Sequence, residues 1–125
     1  MKPSLVLGLT LTETYLTTVD MRARHLASNV FSTPAMIGLM ERTCTTLTAP
    51  HLDDKEQTVG IHIDVRHLAP TRIGQNVTIT AEIIEIKGRR IRYATIAVND
   101  NGAKIGEGTQ WRAVVDPTKF SEPAQ

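Results

Sequence analysis

The chain has a single cysteine, Cys44. One thiol excludes an intramolecular disulfide and fits a reducing, cytoplasmic setting. It sits within a run of helical character, where a buried, inert thiol is expected rather than a nucleophile. No excess of one charge exists: 14 Lys and Arg face 13 Asp and Glu, for a net charge of +1. A nucleic-acid partner would call for a strong basic excess, so none is expected. No apolar run is long enough to span a bilayer, and no membrane partner is expected. The four histidines show no CxxC or HExxH spacing, which argues against a metal site. GxGxxG and Walker patterns are absent, so a nucleotide cofactor is not expected, and the reading calls for no cofactor of any kind. Repeats, linkers and low-complexity tracts are also absent. The 125 residues read as one domain, 1–125, with a loose tail over 116–125 and enough length for a real core.

What is present is a helix that contradicts itself. Ser32 or Thr33 can cap it, and Pro34 suits its first position. Ala35 to Met40 is then apolar on every side, broken only by Gly38, which predicts a buried helix. Glu41 follows, and a carboxylate in a buried helix is costly unless paired. The helix is expected from about Pro34 to Thr48. It should stop there because Pro50 disfavours a helical Ala49.

The rest alternates with a period of two. Lys2 and the run Leu5-Val6-Leu7-Gly8-Leu9 faintly resemble a signal peptide, but threonines interrupt it and no small-residue cleavage site follows. The alternation of Leu5, Leu7, Leu9 and Leu11 predicts a first strand, running as far as Val19. Asp20 to Asn29 reads as a loop. A second strand spans Thr58 to Leu68, with Val59, Ile61, Ile63, Val65 and His67 on one face. Val77, Ile79, Ala81, Ile83 and Glu85 form one face of a third. Lys87-Gly88 starts a tight reversal. Ile91, Tyr93, Thr95 and Ala97 line a fourth strand. Asn101-Gly102 is a hairpin signal, leading to a fifth from about Lys104 to Val115. One long buried helix wrapped by a five-stranded antiparallel sheet is the simplest way to bury both. This is an α+β, hot-dog fold.

Three side chains stand out for chemistry: Thr33 at the helix start, Glu41 within it, and His67 near the end of an apolar strand face. Each has a purely structural explanation as well. Thr33 could be the N-cap, His67 a satisfied core histidine, and Glu41 a helix-edge partner of Arg42 or a strand arginine. Together they are expected to meet in one pocket. A hydroxyl, an imidazole and a carboxylate can activate a nucleophile against a carbonyl, with helix N–H groups to hold an oxyanion.

Further residues strengthen this. Val30-Phe31-Ser32-Thr33 with Gly38-Leu39-Met40-Glu41, then Val59-Gly60, His67-Leu68-Ala69-Pro70-Thr71 and Gly74 form one set of motifs. Val77 to Glu82, Gly88-Arg89-Arg90, Ile105 to Thr109 and Arg112-Ala113-Val114 form another. In this order and spacing, the chain from about Val30 to Phe120 resembles the fluoroacetyl-CoA thioesterase-like family of hot-dog proteins. The resemblance implies hydrolysis of an acyl-CoA. It places the family's catalytic residues on Thr33, Glu41 and His67, and its substrate-contacting Gly and Arg on Gly60 and Arg112. Two departures matter. The family often has His-Glu before its last arginine, where Gln110 and Trp111 stand here. The fluoroacetyl-specialised members carry an aromatic lid before the helix, whereas Met21 to Val30 contains no aromatic residue.

The expectation is a short or medium acyl-CoA as substrate, not fluoroacetyl selectivity. Arg112 is expected to bind that substrate. The alternatives are a non-catalytic hot-dog protein that binds acyl-CoA or an acyl carrier, and a hot-dog enoyl-CoA hydratase. A cluster of Lys87, Arg89, Arg90 and Arg92 could meet CoA phosphates or be a solvated turn. Because a single sheet leaves edges and a helix flank exposed, a homodimer or dimer of dimers is expected.

Overall fold

The computed structural model describes residues 1–119. Of the tail expected over 116–125, residues 117–119 form one short 3-10 turn, and 120–125 lie outside the described residues. Strand β1 (Thr10–Leu16) precedes helix α1 (Thr33–Thr48), and strands β2 (Gln57–His67), β3 (Asn76–Lys87), β4 (Arg90–Asn99) and β5 (Lys104–Val115) follow. They form one antiparallel sheet in the order β1-β3-β4-β5-β2, with the helix packed on one face. This is the expected α+β hot-dog arrangement. No helix among the described residues is long and apolar enough to cross a membrane.

The helix starts where its cap chemistry dictates. The Ser32 Oγ accepts from the Ala35 N–H at 3.2 Å, so Ser32, not Thr33, is the N-cap. At the other end, Ala49 keeps right-handed helical dihedrals and passes into a short 3-10 turn, Ala49–His51. Pro50 therefore ends the α-helix without forcing Ala49 out of helical space.

One side of α1 is buried through Met36, Leu39, Met40, Thr43, Cys44, Leu47 and Thr48. Met36, Leu39 and Met40 pack with Phe31, Val77, Ile79, Ala97 and Ile105, and a second cluster joins Cys44 and Leu47 to Ile83, Ile91, Tyr93 and Val114. Each such apolar side chain contributes about 1.5–3 kcal/mol on burial. The buried threonines are satisfied locally: the Thr43 hydroxyl donates to the Leu39 carbonyl at 2.8 Å and Thr48 to the Cys44 carbonyl at 2.9 Å. Pro34, Gly38 and Arg42 are exposed, so within one chain a flank of the helix stays open.

Three strand expectations are corrected. The Leu5–Leu9 run is not strand: Gly8 takes φ +89, which breaks the alternation, and β1 runs only from Thr10 to Leu16. In β3 the register shifts between Ile83 and Glu85, which turns Glu85 away from the helix and Ile86 toward it. In β2 the shift lies between Gly60 and His62. Gly60 pairs with Arg112 and His67 with Gly106, positions of the same parity on β5. Gly60 and His67 thus share the helix-facing side, although simple alternation puts them on opposite faces.

Candidate active site

Because Ser32 does the capping, the Thr33 hydroxyl is free for another partner. It lies 2.7 Å from Nδ1 of His67. His67 is the last residue of β2, and the Leu68 N–H donates to the Ile105 carbonyl at 2.6 Å, anchoring the strand end. The Phe31 ring meets the imidazole edge-on, with centroids 6.4 Å apart and planes at 78°. Burial holds the imidazole below its usual pKa of 6.5, so it is neutral at physiological pH. Nε2 of His67 is buried with no hydrogen-bond partner among the described residues.

Thr33 and His67 line a cavity of about 970 Å³. Its other walls include Phe31, Pro70 and the segment Arg22 to Leu26, inside the stretch without aromatic residues. The helix start offers less to an oxyanion than its geometry first implies. Ala35 N–H is taken by Ser32 Oγ, Met36 N–H by the Ser32 carbonyl at 3.0 Å, and Pro34 has none. The Thr33 N–H is the donor left.

Glu41, Gly60 and Arg112 form a second group. Arg112 Nη1 donates to Glu41 Oε2 at 3.2 Å and to Gln110 Oε1 at 3.1 Å. Its Nε donates to Thr58 Oγ1 at 3.0 Å and its Nη2 to the Thr58 carbonyl at 3.2 Å. The guanidinium is 6% exposed and the carboxylate 39%. A buried arginine is tolerated because four of its donors are occupied by protein groups. Gly60 lets the carboxylate come close: a Cβ there would lie 2.7 Å from Glu41 Oε2, which would have to shift, and 3.4 Å from Arg112 Nη1.

The five expected site residues therefore fall into two groups. Thr33 and His67 touch; Glu41, Gly60 and Arg112 adjoin one another. Glu41 lies eight residue steps along the helix from Thr33, a rise of about 12 Å, and does not line the cavity. Within one chain, the structural explanation of Glu41 as the partner of a strand arginine describes its contacts. The sequence reading missed Thr58 and Gln110, which hold Arg112. The signal was there for Gln110, two residues before Arg112 on the same strand face. Cys44 is buried, and burial pushes its thiol up to about 12, which keeps it inert. No group of three metal-ligating side chains occurs among the described residues.

Comparison with known proteins gives consistent matches. The family model described as fluoroacetyl-CoA-specific thioesterase, FlK, matches residues 12–118. The fluoroacetyl-CoA thioesterase of Streptantibioticus cattleyicolor is 41% identical over 92 residues, covering 74% of this chain and 66% of that protein, just under two thirds of its length. A crystal structure of an FlK point mutant in complex with fluoroacetate and CoA superposes with a TM-score of 0.87 at 36% identity, covering 94% of this chain and all of that one. A thioesterase-superfamily protein of Thermus thermophilus, at 24% identity and a TM-score of 0.86 over 94% of this chain and 89% of that one, shares the fold. On the extent of the family match, the chain belongs to the fluoroacetyl-CoA-specific thioesterase family.

Proposed function

We propose that the protein hydrolyses the thioester of a short or medium acyl-CoA in the Thr33–His67 cavity, in the cytoplasm and without a metal or cofactor. The observation that carries this reading is the 2.7 Å contact between the Thr33 hydroxyl and Nδ1 of a neutral imidazole at the cavity wall. A neutral imidazole can accept a proton, and its partner hydroxyl either attacks or holds the water that does. On the water route, the water oxygen bonds to the thioester carbon and its proton passes to His67. The C–S bond then breaks, and the thiolate leaves with that proton. The products are a carboxylic acid, ionised at neutral pH, and free CoA thiol. The Thr33 N–H supports the developing oxyanion.

Within one chain Glu41 stands about 12 Å of helix from Thr33, so in the dimer described next the Glu41 of one copy supports the charge that develops on the imidazolium of the other, and Arg112 acts through Glu41 by fixing its carboxylate. Substrate binding by Arg112 is the weaker assignment, because its donors are spent on Glu41, Gln110 and Thr58. Fluoroacetyl selectivity is not carried over, since the wall formed by residues 22–26 lacks an aromatic side chain. The working unit is a homodimer or a dimer of dimers. The edge strand β2 exposes Val59, Ile61 and Ile63, and α1 keeps an open flank; a second copy would cover both.

A panel of acyl-CoAs with free-thiol detection tests the function. Thiol release that disappears in His67→Ala supports it. Binding without release would leave an acyl-CoA or acyl-carrier binding protein. An enoyl-CoA altered without thiol release would make it a hydratase.

A further inference from the structure

Gln110 is a core residue with an unmet need. Its side chain is fully buried on the helix-facing side of β5, between Gly108 and Arg112. Arginine only donates, so the 3.1 Å contact with Arg112 Nη1 fixes the amide oxygen toward Arg112 and the amide nitrogen away from it. That nitrogen, Nε2, is buried with no hydrogen-bond partner among the described residues. Its cross-strand neighbours do not help: Ile63 has no polar side chain, and the Tyr93 hydroxyl is bonded to Thr48. An unmatched buried donor costs stability, and an apolar side chain of similar size would not carry that cost. A local rule broken in this way points to a functional site.

The use of that residue lies in Arg112. The Thr58 hydroxyl and carbonyl accept from Nε and Nη2 of the guanidinium at 3.0 and 3.2 Å. Both contacts come from one residue, so they define a line about which the guanidinium plane could still tilt. Gln110 Oε1 on Nη1 is a third point off that line. Of the two hydrogens on Nη1, one is held by Gln110 and the other is left for Glu41 Oε2, 3.2 Å away. The guanidinium is far more buried than the carboxylate, so the arginine is the fixed member of the pair and the carboxylate the one it holds. Gln110 is also neutral. A second carboxylate at its place would compete with Glu41 for the same charge.

We infer that Gln110 is a positioning residue: it sets the tilt of the Arg112 guanidinium toward Glu41, and it does so without charge, leaving Glu41 as the one carboxylate paired with that guanidinium among the described residues. This rests on the proposed role of Glu41 in thioester hydrolysis. Gln110 does not line the cavity, so it acts through Arg112 and Glu41 and not on the substrate.

The experiment measures kcat, KM and Tm for Gln110→Met and Gln110→Glu, by free-thiol release from an acyl-CoA that wild type hydrolyses. Met keeps the volume and removes the oxygen; Glu keeps the oxygen and adds a charge. Each also removes the unmatched Nε2, so Tm should stay within a few degrees of wild type. In both, kcat should fall roughly tenfold or more, as expected when a reacting group is misplaced by a fraction of an ångström. KM should stay within about twofold, because the substrate's own contacts are untouched. In a Glu41→Gln background either change should cost little more, since the three residues act in series. A packing role would leave Met harmless, and a role as any acceptor would leave Glu harmless. Near wild-type kcat in either folded variant therefore overturns the inference, as do losses that multiply with that of Glu41→Gln. If one variant fails to fold, the other decides alone; failure of both makes Gln110 a structural residue and overturns the inference. An impaired Glu41→Gln beside unimpaired Gln110 variants sinks only this inference. A near wild-type Glu41→Gln sinks the proposed role of Glu41 with it, and wild type that releases no thiol sinks the proposed function as well.

Discussion

Gly60→Ala offers the cleanest separation of stability from activity. The added Cβ would lie 2.7 Å from Glu41 Oε2, and ordinary contact begins at 3.4 Å, so the carboxylate must retreat by about 0.7 Å. The carboxylate can do so, because it is the far end of a flexible side chain that is 39% exposed. Its neighbour Arg112 Nη1 meets the same Cβ at 3.4 Å and need not move. Replacing Gly by Ala in a strand recovers about 0.5–1 kcal/mol of backbone entropy, which offsets the displacement. The net effect on Tm should be within a few degrees of zero. Activity should respond differently. Moving Glu41 stretches its 3.2 Å contact with Arg112, and a misplacement near 1 Å at a reacting centre costs on the order of 10²-fold. The assay pairs a thermal melt with kcat and KM on an acyl-CoA. A loss of kcat of at least tenfold at nearly unchanged Tm is expected. Unchanged kcat with unchanged Tm would refute a role for Glu41's position. A Tm fall of many degrees would refute the claim that the carboxylate yields cheaply.

Other outcomes follow from the same geometry. His67 has a folded pKa below 6.5 because of burial, so its stabilising contribution is complete above about pH 6.5 and is lost as pH falls through the folded value. The acid limb of kcat/KM should accordingly lie below pH 6.5, and a limb above that value would contradict a buried neutral base. Ser32→Ala removes the cap bond to Ala35 and should cost about 1 kcal/mol, read as a lower denaturation midpoint; no change would mean that Thr33 takes over the capping. Ile61→Lys places a charge on the bulge of edge strand β2, where Ile61 is 48% exposed, and should shift light scattering toward monomer. Wild type that is already monomeric at micromolar concentration would refute the assembly.

The parts of the fold that local chemistry determines were legible from sequence. The helix ends follow from Ser32, Pro34 and Pro50, and the β4–β5 hairpin from Asn101-Gly102, where Gly102 takes φ +76. The buried face of β4 follows from the alternation of Ile91, Tyr93, Thr95 and Ala97. What was hidden depends on pairing. The bulges at Ile61 and Ile84 are set by how β2 and β3 align with β5 and β4, and no local residue announces them. They decide that Gly60 shares a face with His67 and that Glu85 turns outward. The Leu5–Leu9 alternation misled because one positive-φ glycine outweighs three alternating leucines. At the site, Thr33 and His67 were legible because the capping role passes to Ser32. The separation of Glu41 from His67 was not legible, since it depends on which strand residue reaches the helix first. The two buried arms of Arg112 on Thr58 and Gln110 settle that competition.

The central claim is that Thr33, His67 and Glu41 work as one unit on an acyl-CoA, although about 12 Å of helix separates Thr33 from Glu41 in a single chain. The direct measurement is a double-mutant cycle on thiol release by folded His67→Ala, Glu41→Gln and the double variant. The account predicts that each single change costs roughly 10²-fold or more in kcat, and that the double costs little beyond the worse single. Near wild-type rates in either single variant, or losses that multiply in the double, would contradict it.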